Sequence, residues 1–267
     1  MKRFITLLAL VTAFVSPLAP ASEESRLDTA PIDVRDVASL QSGVRTFVNY
    51  CLSCHSASVM RYNRLEGLGL TESQIKDNLL FTTDKVGDLM SVAMAKKDAK
   101  EWFGVAPPDL SVIARSRGAD WLYTYLRSFY RDPKTVSGWN NLAFPNVAMP
   151  HVLWTLSGQS VLDEREFKTE HEAEAAKLQS KGYSVIEESD EGAERRYVLK
   201  TTRLETAGAL TSVEYDTVVR DLVNFLVWMS EPSQVLRKQV GIVVTLVLLV
   251  LLVLTYLLYK EFWKDVH

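Results

Sequence analysis

The C-terminal part of the chain contains an apolar run that few folds can accommodate. Residues 240–259 read VGIVVTLVLLVLLVLTYLLY, twenty residues without a charged side chain. At a rise of about 1.5 Å per residue, this run covers roughly 30 Å, which is the thickness of the hydrocarbon core of a bilayer. Basic residues flank both ends, and Tyr256, Tyr259 and Trp263 suit a membrane interface. The pattern predicts a transmembrane anchor within residues 237–267.

The N-terminus carries a shorter apolar segment with the layout of an export signal. A basic pair precedes an apolar run over residues 4–15, and APA at 19–21 supplies small residues for cleavage. We interpret residues 1–21 as a bacterial signal peptide. Residues 22–236 are then the periplasmic domain of a single-pass inner-membrane protein, and a short C-terminal tail remains in the cytoplasm.

Composition adds little except at one place. The 267 residues are 47% hydrophobic and 24% charged with a net charge of −3, which predicts a globular body and does not favour nucleic-acid binding. Residues 161–194, however, contain eleven Asp or Glu and four Lys or Arg, a local charge of −7. We treat residues 161–203 as an acidic insertion in the periplasmic domain.

The chain's two cysteines form one motif, YCLSCHS at residues 50–56. CxxCH is the attachment signature of a c-type haem. Thiols at this spacing form thioethers to the two vinyl groups of one porphyrin, and the next residue, His55, then directs its imidazole at iron. A thioredoxin-like dithiol would need a βαβ setting, whereas the residues before Cys51 have helical spacing. Zinc would need more ligands than Cys51, Cys54 and His55 supply.

The rest of the body has mainly helical signals. The spacing predicts a helix over 36–49 that leads into the cysteine motif. Further predictions are a helix opened by a Thr71/Gln74 capping box and running through Phe81, a helix over 121–131 capped by Asp120, an exposed helix over 164–179, a hairpin of 184–188 with 196–202, and a helix opened by a Thr211/Glu214 capping box and ended by Pro232. Residues 106–111 (APPDLS) and 137–150 read as loops. The predicted fold class is mainly α, a c-type cytochrome domain with loop insertions, a minor β-hairpin and one C-terminal transmembrane helix.

An electron-transfer haem needs a sixth iron ligand, and several residues compete for that role. The candidates are Met60, Met90, Met94, Met149, Met229 and the remaining histidines. Met149 lies in the proline-bounded loop PNVAMP, which suits a side chain presented over a ring, and a thioether ligand raises the potential. His151 is the rival, two residues further on. Spacing alone favours Met149 over His151 only modestly.

Taken together, these motifs resemble those of cytochrome c1, the haem subunit of the cytochrome bc1 complex (ubiquinol–cytochrome c oxidoreductase). The resemblance covers nearly the whole mature chain and is carried by YCLSCHS with MRYNRL after it, APPDLSVIARSRG, PNVAMP, and YDTVVRDLVNFLVWMSEP followed by the span. It implies one haem c bound covalently through Cys51 and Cys54, with His55 as proximal and Met149 as distal ligand.

The resemblance also implies residues around the haem and partners for the subunit. Pro107, Pro108 and Asp109 would lie against the haem, and Arg117, rather than its neighbour Arg115, would contact a propionate. The subunit would accept electrons from a Rieske iron–sulfur protein, pass them to a periplasmic cytochrome c, and assemble with cytochrome b. It is then an electron carrier by itself and part of an oxidoreductase complex.

The chain departs from the family pattern in two ways. Many relatives carry Arg-x-Ala-Asn-x-Gly before the prolines, whereas this chain has AKEWFGVAPP, so that the indole of Trp102 is the candidate for any haem contact there. With two cysteines, both used by haem, the extra disulfide of some bacterial relatives is not possible.

Other functions make different predictions. A free-standing membrane-anchored cytochrome feeding another oxidase or reductase would not co-purify with a cytochrome b. A haem-based gas sensor would bind carbon monoxide rapidly at a displaceable sixth site, and a thiol oxidoreductase would have free thiols and no haem absorbance. The acidic stretch 161–194 is a hypothetical docking surface for a basic electron acceptor.

Overall fold

The computed structural model describes residues 27–92, 94–180, 182–191 and 194–265. The proposed signal peptide, residues 1–21, lies outside them. The helices are α1 (Val37–Thr46), α2 (Glu72–Asn78), α3 (Lys96–Phe103), α4 (Ile113–Arg117), α5 (Ala119–Arg127), α6 (Trp154–Ser157), α7 (Glu170–Gln179), α8 (Ser212–Ser230) and α9 (Gln234–Phe262), with a π-helical turn at Phe47–Cys51 and a 3₁₀ helix at Tyr62–Leu68. The strands are β1 (Ala57–Arg61), β2 (Leu89–Met90), β3 (Phe129–Arg131), β4 (Trp139–Asn141), β5 (Gly158–Phe167), β6 (Val185–Glu191) and β7 (Glu194–Ala207).

The centre of the domain is the packing of α1 on α8. Gly43 of α1 sits against the backbone carbonyl of Asp221, which lets the two helices approach closely. Phe47 and Phe225 meet with ring centroids 5.6 Å apart, and both side chains are fully buried. The first and last helices of the soluble domain therefore pack on each other through their apolar faces.

The two predicted capping boxes are confirmed. Both capping boxes form: Thr71 accepts from the Gln74 amide before α2, and Thr211 accepts from the Glu214 amide before α8. The first helix begins one residue after Asp36, whose side chain caps it, and the π-helical turn carries it on to Cys51. Helix α2 is shorter than predicted, because it ends at Asn78 and not at Phe81.

The fold is mainly helical, as predicted, but its β-structure is larger than the expected minor hairpin. The hairpin of β6 and β7 is present, and β7 also pairs along its length with β5. In the described residues these strands belong to a five-stranded sheet of order β4-β3-β5-β7-β6. The prediction missed this sheet because its pairings join residues far apart in the chain, which local periodicity does not report.

Two predicted helices were wrong in part. Asp120 does not cap the helix over 121–131: it lies inside the first turn of α5, and its carboxylate accepts from the Ala30 amide at 2.8 Å. That helix ends at Arg127, and Phe129–Arg131 is a strand. The helix over 164–179 likewise begins only at Glu170, because the preceding residues pair with β7.

The apolar C-terminal segment predicted from the sequence is a helix. Helix α9 runs for 29 residues with a mean hydropathy of 3.0 in its most apolar window, and none of that window is buried by the rest of the chain. Within the described residues it is the helix long and apolar enough to cross a membrane. Glu231, just before it, pairs with both Arg237 at its start and Arg115 of α4.

Candidate haem site

The CxxCH motif forms a tight turn at the end of the first helix. The amide N–H groups of Cys54 and His55 both donate to the Cys51 carbonyl, at 3.0 and 2.8 Å. Cys51 is buried and Cys54 half-buried, and the two thiols are not joined to each other. Burial, followed by the charge of Cys54, raises the pKa of the Cys51 thiol to about 12, so this thiol is protonated at neutral pH.

His55 is held in one tautomer by the proline loop. Its Nδ1 lies 2.7 Å from the carbonyl oxygen of Pro108. A carbonyl only accepts, so Nδ1 carries the proton and Nε2 keeps its lone pair for a metal. Burial lowers the pKa of His55, which keeps the imidazole neutral despite the carbonyl of Pro108 and the charge of Asp109. A neutral imidazole oriented through its second nitrogen beside two thiols fits a covalently attached haem iron.

The PPDLS loop is bonded to the residues that follow the motif. Leu110 N–H donates to the Ser56 carbonyl at 2.8 Å, and Val59 N–H donates to Ser111 Oγ at 3.0 Å. Asp109 accepts from the amides of Ser58 and Ser111, at 2.8 and 2.9 Å. Partial burial tends to raise the pKa of Asp109, and the bonds from Ser111 and Ser58 together lower it below the ordinary value. The Pro108 carbonyl is thus part of a bonded frame.

A cavity of about 490 Å³ opens beside this loop. Its lining includes Cys54, Pro107 and Pro108, together with Lys96 and Ala99 of α3. His55 and Met149 do not line it, so it is not by itself the space between the two expected iron ligands. It does place both prolines next to a thioether position.

Met149 lies under a stack of aromatic side chains from α5. The Tyr125 hydroxyl donates to Met149 Sδ at 3.3 Å, and burial raises the pKa of Tyr125, so this hydroxyl keeps its proton. Trp121 stacks on Tyr125 with centroids 4.8 Å apart, and the Arg117 guanidinium lies 5.0 Å from the centre of the Trp121 ring. Arg117 also lies 5.9 Å from the ring of Phe144. The exposed Arg117 is therefore on the same side of the domain as Met149.

Two buried asparagines, which were not predicted as site residues, shape the loop that carries Met149. Asn140 accepts from the Asn146 amide at 2.8 Å, and Asn146 has a left-handed φ of 61°. Asn141 accepts from the amides of Ala143 and Phe144 and donates to the Tyr125 carbonyl. The signal available in the sequence was the pair of adjacent amides before PNVAMP, since buried amides commonly satisfy the backbone of irregular loops.

His151, the rival ligand, is enclosed by other side chains. Its ring stacks on Phe129 at 4.8 Å and meets Trp139 edge-on at 5.2 Å. Its Nε2 lies 2.8 Å from Ser157 Oγ. Burial lowers the pKa of His151 to about 4, so the ring is neutral and acts as an aromatic packing group.

Of the remaining methionine candidates, Met94 lines the cavity beside Cys54, Pro107 and Pro108. Met60, Met90 and Met229 are buried in the apolar core, where methionine commonly fills space. Arg115 is exposed and pairs with Glu231 at 3.7 Å. Trp102 is 62% exposed and contacts Phe103 edge-on. No three His, Cys, Asp or Glu side chains in the described parts of the chain converge into a metal site.

Comparison with known proteins settles the family. The model of the Cytochrome C1 family matches residues 29–178 and 208–266. The chain belongs to the cytochrome c1 family. The gap between the two matched ranges, residues 179–207, contains β6 and β7, so the hairpin is an addition to the part that the family model describes.

The relatives of this cytochrome c1 family member include full-length bacterial proteins. A protein of Allochromatium vinosum named cytochrome c1 is 44% identical over 268 residues, which is the whole of both chains. A protein of Nitrosomonas europaea named ammonia monooxygenase gamma subunit is 46% identical over 267 residues, covering all of this chain and 99% of the other. Cytochrome c1 of Rhodospirillum rubrum is 26% identical over 86% of this chain and 83% of its own.

Family membership establishes the general role. Cytochrome c1 is the membrane-anchored, haem c-binding electron-transport subunit of the bc1 complex, so cytochrome b and the Rieske protein are its partners. Cys51 and Cys54 have the close spacing that this cofactor needs, and α9 fits the anchor.

Proposed function

We propose that Cys51 and Cys54 hold haem c as thioethers, that His55 and Met149 are its two axial ligands, and that the subunit delivers electrons to a periplasmic cytochrome c. The observation that carries the proposal is the 2.7 Å contact between His55 Nδ1 and the Pro108 carbonyl, which leaves Nε2 for iron. Haem bound there supplies a one-electron iron couple. The protein's part is to attach, orient and enclose it.

The residues around the proposed site form two groups, one beside His55 and one beside Met149. On the His55 side, Pro107 and Pro108 form a stiff wall that Asp109 bonds to the residues after the motif. On the Met149 side, the asparagine-bonded loop presents a thioether, which favours ferrous iron. The Arg117 guanidinium lies over the face of the Trp121 ring, and in this proposal its N–H groups would donate to a haem propionate.

The ligand assignment is tested by replacing Met149. We expect Met149→Leu to keep its covalent haem, because the thioethers and His55 are untouched, and to lose the weak near-infrared Met–Fe(III) absorption band. A pyridine haemochrome assay measures the attached haem in both proteins. His151→Gln is the matched variant and should keep the band. A Met149→Leu protein with an unchanged band would show that the distal ligand is another residue.

The same ligand set distinguishes electron transfer from oxygen chemistry. The name of the Nitrosomonas europaea relative refers to an oxygenase, whereas the family model and the other relatives refer to cytochrome c1. A haem iron bound by both His55 and Met149 would have no free position for a gas. The reduced wild-type protein should therefore bind carbon monoxide slowly, and Met149→Leu rapidly; rapid binding by the wild type would favour a gas sensor or an oxygenase.

The proposed topology follows from the two apolar segments. Residues 1–21 direct export and are removed, residues 22–236 lie in the periplasm, and residues 237–267 anchor the chain with its tail in the cytoplasm. Protease added to spheroplasts should then degrade the haem domain and spare the tail. Protection of the haem domain until the membrane is broken would reverse the orientation.

A further inference from the structure

Tyr125 is a polar side chain that the structure places directly on Met149. Its hydroxyl donates to Met149 Sδ at 3.3 Å. A thioether sulfur is a weak acceptor with two lone pairs, so one pair can bind iron while the other accepts the hydrogen bond. The inference rests on the proposed function, in which Met149 is the distal ligand.

The position of the hydroxyl is set by packing. The Tyr125 ring is stacked under Trp121 at an interplanar angle of 11° and meets Phe129 edge-on, with centroids 5.0 Å apart. The side chain is only 8% exposed. The Tyr125 backbone carbonyl also accepts from Asn141, a residue of the strand that leads into the Met149 loop. The Tyr125 hydroxyl and the Met149 sulfur are therefore connected through the backbone as well, because Asn141 links helix α5 to the Met149 loop.

A donor on the sulfur affects the two oxidation states of iron unequally. Ferric iron draws more electron density from its ligands than ferrous iron does, and a hydrogen bond makes the sulfur lone pair less available. We propose that Tyr125 is a positioning residue that raises the reduction potential of the haem through its hydrogen bond to Met149. The raised potential makes the haem a better acceptor from the Rieske protein and a weaker donor to the next cytochrome.

The test removes only the hydroxyl. Tyr125→Phe keeps the aromatic stack, and its potential is measured by spectroelectrochemical titration of the full-length protein in its complex. Because a neutral hydrogen bond typically shifts an equilibrium about fivefold, the midpoint potential should fall by roughly 40 mV, since tenfold corresponds to about 59 mV for one electron. Tyr62→Phe is the matched control: Tyr62 is fully buried, and its hydroxyl pairs with Thr82 at 2.8 Å.

A second substitution should move the potential the other way. Replacing Tyr125 with 3-fluorotyrosine makes the phenol a stronger donor at nearly the same size, so the potential should rise. This substitution also keeps the proposal testable if the phenylalanine variant folds poorly. Unchanged potentials in both variants, or a change no larger than that of Tyr62→Phe, would overturn the proposal.

The near-infrared band separates this proposal from the ligand assignment. Tyr125→Phe should retain the Met–Fe(III) band, because the sulfur stays on iron without its donor, and loss of the band would contradict the proposal. If instead Met149→Leu keeps the band, Met149 is not the ligand. The proposed function then fails in its ligand assignment whatever Tyr125→Phe shows.

Discussion

At the scale of single residues, the site depends on backbone groups that side chains hold in place. The Pro108 carbonyl orients His55, and that carbonyl is positioned by Asp109, whose carboxylate accepts two amides. The loop carrying Met149 is held in the same manner by Asn140 and Asn141. His55 and the Met149 loop are thus held by neighbouring side chains, Asp109 acting through the Pro108 carbonyl and Asn140 and Asn141 acting on the loop.

Asp109→Asn tests this frame. Because one charge-assisted acceptor is lost, we expect the free energy of unfolding at pH 7 to fall by about 1 kcal/mol. The folded state lowers the pKa of Asp109, so its stabilisation is present above the unfolded pKa of about 3.9 and is lost as the pH falls through the lower folded value. Urea unfolding at several pH values should show the two proteins converging in acid.

The control for this comparison is Asp84→Asn, an exposed carboxylate outside the PPDLS frame. It should leave the stability unchanged at every pH. An Asp109→Asn protein as stable as the wild type at pH 7, or a difference that persists in acid, would show that the two amide bonds do not stabilise the loop.

At the scale of elements, the crossing of α1 and α8 positions the CxxCH turn. A Cβ added to Gly43 would lie 2.1 Å from the Asp221 carbonyl oxygen and 2.6 Å from Phe225 Cβ. A buried cluster beside this contact, in which Ser39 donates to Asp221 at 2.7 Å and Asn224 donates to Ser39 at 3.0 Å, fixes the same crossing. The two helices therefore approach at a distance that only glycine permits.

Gly43→Ala should destabilise the domain by about 2 kcal/mol, which is the upper end of the overpacking cost less the gain in helix propensity. Alanine gains about 1 kcal/mol in helix propensity, but the clash is with backbone that cannot rotate away, and overpacking of this kind costs about 1–3 kcal/mol or more. Thermal unfolding of the haem-loaded protein measures the difference. Gly67→Ala is the control, because a Cβ added to Gly67 would lie 3.7 Å from the Trp228 ring, an ordinary contact distance. An equal loss of stability in both variants would contradict the proposed clash at Gly43.

At the scale of the whole molecule, folding changes where the acidic charge of residues 161–203 lies. Residues 161–194 have a charge of −7, but residues 161–203 have only −3, because β7 contributes four basic residues. Lys200 pairs with Glu164 and Glu187, and Arg196 pairs with Glu166. The carboxylates of the sheet are therefore partly neutralised, whereas Glu170 and Glu172 on α7 are exposed and have no ion pair within the described residues.

Any electrostatic docking by residues 161–203 should therefore depend on α7. We expect Glu170→Gln combined with Glu172→Gln to slow the reduction of a basic cytochrome c severalfold at low salt, and the difference should close near 0.15 M ionic strength, where the Debye length is about 8 Å. Stopped-flow kinetics across a salt series measures this. Glu66→Gln with Asp77→Asn removes the same charge from an exposed surface elsewhere; equal slowing by both pairs, or none, would count against docking by α7.

Prediction from the sequence succeeds where the interacting residues are close together in the chain and fails where they are far apart. The capping boxes at Thr71 and Thr211 are complete within four residues, so the starts of α2 and α8 were readable. Phe129–Arg131 continues a helical pattern and yet is a strand, because it pairs with β4 and with Val161 of β5. No window of the local sequence contains both partners of such a pair.

The sequence by itself determined the attachment chemistry, the membrane anchor and the family, because a five-residue motif, a twenty-residue apolar run and contiguous signatures are each local. Only the tertiary structure decided which carbonyl orients His55, that His151 belongs to an aromatic core, and that Tyr125 reaches the sulfur of Met149. These contacts join residues whose separation is set by the helix crossing and the sheet. They depend on distances of 3–5 Å, which spacing along the chain does not encode.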